Sequence, residues 1–205
     1  MAGAYAESCA AWSCGDTQRV LVAFERSGRV RDWLRVLGVE AWSCDLRPCD
    51  QGGPHLQGDV FSYLDDGWDA VIAHPPCTYL SRCNVRYRRD HPELEVAALR
   101  VVERLWLSPT SRLVVENPVG AVWGLLGRPK QQIEPWMFGD PYTKRTCLWM
   151  RGISTLRPAV SQAPVDCRSW CDVKSGSRGR SITFPGIAQA LAAAVVDSLR
   201  DAGVE

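Results

Sequence analysis

The segment Asp69-Ala70-Val71-Ile72-Ala73-His74-Pro75-Pro76-Cys77 runs from strand-like apolar residues into two prolines and a cysteine. Proline has no amide hydrogen and a fixed φ, so the pair ends ladder pairing and stiffens the turn. Ligands of open α/β sheets bind beyond the carboxyl ends of the strands, which puts Cys77 where a nucleophile would be useful. A rigid turn carrying an inert thiol has the same local sequence, with His74 as a turn residue. The company the cysteine keeps separates the two readings. Glu25, Ser27 and Gly28, then Asp45, then Asp59, then Glu116-Asn117-Pro118 each follow a strand-like run. Loops favour polar residues, so each alone says little, but their order along the chain is specific. Arg82, Arg86, Arg88 and Arg89, with Tyr87 among them, lie just past Cys77. Such a run can bind phosphates, and a solvated face partly neutralised by Asp90 and Glu93 is the plainer alternative.

These residues need a scaffold of strands that end together. Arg19 to Phe24 reads as a buried strand, and Val30, Trp33, Leu34 and Leu37 follow at helical spacing up to Gly38. Val39 to Cys44 reads as a second strand, making a βαβ unit. Gln51 to Leu56 is polar and glycine-rich, and Gly58-Asp59-Val60 opens a short element. Ala70–Ala73 is a strand, Pro92 to Trp106 a helix, Arg112 to Glu116 a strand and Val119–Leu126 a short helix. Gln132 to Met137 and Arg145 to Met150 supply two last strands, the second with antiparallel character, before an alanine-rich helix over Ile187 to Leu199. Alternating units of this kind predict an α/β, doubly wound, mostly parallel sheet. The expected organisation is a loosely ordered extension over residues 1–18 and one domain over 19–205.

The order of motifs resembles the DNA (cytosine-5-)-methyltransferases, most of all small phage-type members that lack a large target-recognition domain. Phe24-Glu25-Arg26-Ser27-Gly28 is similar to a divergent form of that family's Phe-x-Gly-x-Gly cofactor loop. Pro75-Pro76-Cys77 with Ser81 resembles the nucleophile motif Pro-Pro-Cys-Gln-x-Phe-Ser, and Glu116-Asn117-Pro118 resembles Glu-Asn-Val. Lys144-Arg145 resembles a basic strand motif facing the target base, and Arg180 to Ala193 a terminal motif that closes the cofactor pocket. The resemblance implies the class I S-adenosylmethionine-dependent methyltransferase fold. It also implies S-adenosyl-L-methionine as cofactor, held by Phe24, Ser27, Gly28, Asp45, Asp59 and Pro75. Cytosine in DNA would be the substrate, contacted by Ser81, Arg82, Arg86, Arg88, Asn117 and Lys144.

In that chemistry a thiolate adds to carbon 6 of the pyrimidine and turns carbon 5 into a nucleophile. The roles implied are Cys77 as nucleophile, Glu116 as the carboxyl beside N3, and Arg145 as the cation that lowers the thiol pKa. No side chain stands out as the base for the carbon 5 proton, and water can serve. An amino methyltransferase carries Asp/Asn-Pro-Pro-Tyr/Phe at this strand end; His74 and Cys77 stand in both functional positions here and disfavour that class. The short stretch from Arg151 to Gly179 leaves target recognition to a second copy or a partner. It keeps open a free cytosine nucleotide, a single strand, transfer of a group other than methyl, or a noncatalytic nucleic-acid-binding domain on the same fold.

Composition sets outer bounds. The 205 residues are 46% hydrophobic and 23% charged, enough for one soluble core. A net charge of +1 gives no global field for nucleic acid, so any contact needs a local patch. No apolar stretch approaches the ~20 residues of a membrane span. Nine scattered cysteines without a secretory leader point to reduced thiols and a cytoplasmic location. Zinc ligation by Cys44/Cys49 and Cys167/Cys171 is a minor alternative with loose spacing, and no metal is expected.

Overall fold

The computed structural model describes residues 17–172 and 182–201. β1 (Arg19–Ala23) pairs in parallel with β2 (Glu40–Asp45) on one side and β4 (Ala70–Ala73) on the other. β3 (His55–Gln57) continues the sheet beyond β2, and β5 (Leu113–Pro118) continues it beyond β4. β6 (Gln131–Ile133) and β8 (Thr146–Arg151) complete seven strands in the order β3-β2-β1-β4-β5-β8-β6, with β8 antiparallel to both its neighbours. β7 (Tyr142–Thr143) and β9 (Arg168–Ser169) form a separate parallel pair. This mostly parallel, doubly wound α/β sheet has the architecture expected from the sequence.

Strands buried on both faces explain the unbroken apolar runs Val20–Ala23 and Ala70–Ala73, which show no exposure at all. On one face, Val20, Val22, Ile72 and Val114 pack with Val30 and Leu34 of α1 (Arg29–Val36) and with Leu191 and Val195 of α5 (Pro185–Asp201). On the other, Leu21, Val71 and Val115 meet Val102 and Leu105 of α3 (Pro92–Trp106) and Val122 of α4 (Val122–Leu126). Pro92 opens α3 after the short α2 (Val85–Asp90), with Glu93 and Glu95 in the first turn and Arg104 in the last, as the helix dipole favours.

Four details differ from the sequence reading. β3 was not anticipated, because three residues carry too little periodicity to register. β5 does not stop at Glu116: parallel pairing with β4 ends at Ala73↔Val115, while β8 continues to pair with Glu116, Asn117 and Pro118. Gln132 to Met137 is a three-residue strand followed by a single turn over Pro135–Phe138, since Pro135 cannot donate to a ladder. Gln18, assigned to a loose extension, donates to the Leu199 carbonyl at 3.1 Å; residues 1–16 lie outside the described residues. No helix among the described residues is long and apolar enough to cross a membrane.

Candidate active site

The overshoot of β5 past β4 builds the site. It carries Glu116 alongside His74, the residue that follows β4, and the His74 Nδ1–Glu116 Oε2 distance is 3.1 Å. The His74 amide still donates to Ala23 O, so the residue is anchored to β1 and is more than a turn residue. Asn117, 1% exposed, donates from Nδ2 to the Pro75 carbonyl at 2.9 Å and pins the Pro-Pro-Cys turn to β5. Beyond the turn, Leu80 N and Ser81 N both donate to Cys77 O. A bridge between Ser81 and Gly120, flanked by Arg82 N to Val119 O and Ala121 N to Leu80 O at 2.8 Å each, ties this loop to the one after β5. Gly120 is required there, because a Cβ would lie 1.8 Å from Leu80 O.

Charge at the site departs from the expected pattern. Cys77 is exposed, yet protein crowding on its inner side desolvates a thiolate. That desolvation raises its pKa, the Glu116 carboxylate raises it further, and Lys144 opposes both. The thiol is therefore held above its ordinary value, not below it. For Glu116, burial pushes upward, but the hydrogen bond and charge of His74, joined by Lys144, prevail and leave the carboxyl below its usual range. Arg145 does not take part: it is 65% exposed and its Nε lies 3.4 Å from Glu134 Oε1. Lys144 is the cation that bears on Cys77 and Glu116.

Two residues to which the sequence reading gave no role of their own shape the adjoining strand ends. Glu25, 3% exposed, accepts from Val30 N at 2.8 Å and Arg31 N at 3.3 Å, filling the amino end of α1. Burial raises its carboxyl against the opposing charge of His74. Arg31, 1% exposed, pairs with Asp32 and bonds Ser43 Oγ and the Pro54 carbonyl. Its guanidinium fills the space a Cβ on Gly28 or Gly53 would need. The available signals were an acid directly after a strand for Glu25 and a charge among the apolar positions of α1 for Arg31.

The residues expected to hold S-adenosylmethionine divide into two groups. Ser27 Oγ is committed within the turn to Glu25 and Arg29 N, and Gly28 faces Arg31 instead of open space. Asp45 and Asp59 do start turns, accepting from Arg47 N and Phe61 N, but the second oxygen of each has no partner among the described residues. Both lie close enough to Cys44 to add to the burial that pushes its thiol up to about 12. Phe24, at φ 59°, packs edge-on against Phe61 with centroids 6.4 Å apart. Two carboxylate acceptors and an aromatic edge suit ribose hydroxyls and an adenine, so the nucleoside half of the cofactor fits these residues.

Of the expected catalytic and substrate-binding residues, Cys77, Glu116, Asn117 and Lys144 converge, joined by Pro75, which was expected at the cofactor, whereas Ser81 caps a turn by accepting from Cys83 N. Arg88 is fixed to Glu95 through Nε at 2.9 Å and through a second bond from Nη2 to Oε1. Arg82 and Arg86 are exposed, with no ion-pair partner among the described residues. His74 Nε2 and Asn117 Oδ1 are buried without a hydrogen-bond partner; buried polar atoms are ordinarily satisfied, so both mark the place where a ligand or solvent completes the site. Among the described residues no cluster of three or more metal-ligating side chains occurs.

No protein-family model and no curated protein matches the sequence. Solved structures align with the fold. A methyltransferase of Entamoeba histolytica, EhMeth, aligns with a TM-score of 0.49 at 10% identity over 73% of this chain and 58% of that one. A mutant of Spodoptera frugiperda DNMT2 aligns with a TM-score of 0.39 at 12% identity over 74% and 54%. The chain spans little more than half the length of these structures.

Proposed function

We propose that this chain is a minimal S-adenosylmethionine-dependent methyltransferase acting on carbon 5 of cytosine in DNA through a covalent adduct of Cys77. The observation that carries the reading is the tie between Asn117 and Pro75, which sets the nucleophile turn beside the His74–Glu116 pair at the carboxyl ends of adjacent strands. The Cys77 sulfur, once ionised, bonds carbon 6, and the electron pair of the 5,6 double bond makes carbon 5 nucleophilic. Glu116, held ionised, accepts a hydrogen bond from the exocyclic amine, while His74 fixes its other oxygen. Reaching N3 requires Glu116 to take up a proton as the ring binds. Lys144 offsets negative charge on the sulfur. Asp45, Asp59 and Phe24 would hold S-adenosylmethionine, which when bound supplies an electrophilic methyl group. Loss of the carbon 5 proton to water then expels the sulfur and restores Cys77.

The raised Cys77 pKa means that the resting protein keeps its thiol protonated until substrate or pH draws the proton away. Residues 151–172 contribute only β9 and turns, and Ala159 N and Val160 N donate to Met137 O, so this stretch lies along the domain. Target choice then falls to a second copy or a partner protein. The test is incubation with 5-fluorocytosine oligonucleotides and S-adenosylmethionine, followed by mass spectrometry. A cofactor-dependent adduct on Cys77, absent in Cys77→Ala, is the expected result. An adduct on another residue, or turnover that survives Cys77→Ala, refutes the proposal.

A further inference from the structure

An open pocket of about 470 Å³, within the size range of small-ligand sites, lies among the loops that continue from Cys77 and from Glu116. Part of its wall comes from the segments that carry Cys77, Glu116 and Lys144, and Arg88 of α2 and Gln132 of β6 supply more of it. Arg82 lies five residues past Cys77, Val119 and Gly120 follow the Glu116-Asn117-Pro118 strand end, and Arg145 is next to Lys144. Trp123 of α4 adds an indole.

The cations of this pocket are not equivalent. Arg88 is doubly bonded to Glu95 and forms wall. Arg145 is exposed, and its ion pair with Glu134 at 3.4 Å is of the weak surface kind that an anion can replace. Arg82 has no ion-pair partner among the described residues. Two available guanidinium groups beside an indole match a phosphodiester joined to a flat base: the charges take the phosphate and the ring face takes the base. In the same stretch of chain as Arg82, Tyr79 and Tyr87 stack with centroids 5.5 Å apart and planes 17° apart, and Tyr87 is 48% exposed. A base that remains paired and stacked in a duplex cannot present its face to Trp123 inside a concavity.

We propose that this pocket binds the nucleotide flanking the target, its phosphate on Arg82 and Arg145 and its unpaired base on Trp123, so that single-stranded DNA is the preferred form of substrate. The proposal deepens the methyltransferase reading and rests on it for the word target. The pocket itself is tested without chemistry. Fluorescence anisotropy with labelled oligodeoxyadenylate, which contains no pyrimidine, and without cofactor reads the flanking site alone.

One phosphate neutralised on a single strand gives a slope of log K against log salt of about −0.7, and Arg82→Ala, which removes half of its cation pair, flattens it. Arg145→Ala has the same effect, and Arg100→Ala, an exposed arginine on α3 outside the pocket, leaves the slope unchanged. The duplex of the same sequence binds at least about tenfold more weakly, because it offers phosphates without free base faces. Equal binding of the duplex, tighter binding of oligoriboadenylate, or the same slope in Arg82→Ala as in Arg100→Ala overturns the proposal. If binding behaves as expected but no adduct forms with 5-fluorocytosine, the pocket stands and the transfer reading fails. If an adduct forms on fluorodeoxycytidine monophosphate while the strand does not bind, the pocket assignment fails and the transfer reading stands.

Discussion

Replacing Gly120 by alanine places a methyl group where the backbone of the nucleophile loop already runs. The added carbon would lie 1.8 Å from Leu80 O and 2.8 Å from Leu80 C, whereas ordinary contact begins at 3.4 Å. The two loops must therefore separate by roughly 1.6 Å, the difference of those figures. Leu80 is fully buried and cannot swing aside, so the movement falls on the backbone that holds Cys77 through Leu80 N and Ser81 N. Separation breaks the two flanking hydrogen bonds, each contributing about 1 kcal/mol net, and adds about 1–3 kcal/mol of overpacking, for a total of about 3–5 kcal/mol. A displacement of about 1 Å at a reacting group costs roughly 100-fold in rate. Gly120→Ala should thus unfold at lower urea and form the Cys77 adduct about two orders of magnitude more slowly. Gly124→Ala is the control: nothing lies within 4 Å of its Cβ position in α4, and alanine there gains about 0.5–1 kcal/mol. Wild-type adduct rate and stability in Gly120→Ala would show that the bridge does not position Cys77.

Other substitutions probe the charges and the core. In a Cys83→Ser background, the rate of Cys77 alkylation by iodoacetamide should titrate above the ordinary thiol value near ~8.5; Glu116→Gln should shift that midpoint down and Lys144→Met should shift it up. The depressed Glu116 pKa contributes stability that is present above the unfolded carboxyl value and is lost as pH falls through the lower folded value. His74→Gln should accordingly destabilise more at pH 7 than at about pH 3 by urea unfolding, and a pH-independent difference would contradict the pairing. Arg31→Leu removes the group packed between Gly28 and Gly53 and strips Ser43 and Pro54 of a donor, which should cost about 2–4 kcal/mol in the same assay. Peptide mapping after brief native labelling should find Cys77 and Cys83 modified, and Cys44 and Cys147 modified only after unfolding.

Much of the fold was legible because hydrophobic period and local punctuation act over a few residues. α3 runs over the Pro92–Trp106 span read from its apolar spacing, and β4 over Ala70–Ala73 as read. The errors share a cause. The end of β5 is set by an antiparallel neighbour more than 25 residues later, which no local pattern reports. The burial of Arg31 is invisible locally because its cavity is supplied by two glycines, one of them more than 20 residues away. Lys144 and Arg145 are adjacent cations, and only the folded structure shows that Lys144 bears on the thiol while Arg145 pairs with Glu134.

The sequence by itself determined the alternation of strands and helices, the stiff turn presenting Cys77, and the residue types that a covalent pyrimidine chemistry needs. Those properties follow from covalent geometry and from apolar spacing within single elements. Tertiary structure decided the rest: that His74 shares the site with Glu116, that the thiol is raised and not lowered, and that Arg145 belongs to a neighbouring pocket. Desolvation and charge pairing depend on distances between segments far apart in the chain, and these exist only once the sheet has assembled.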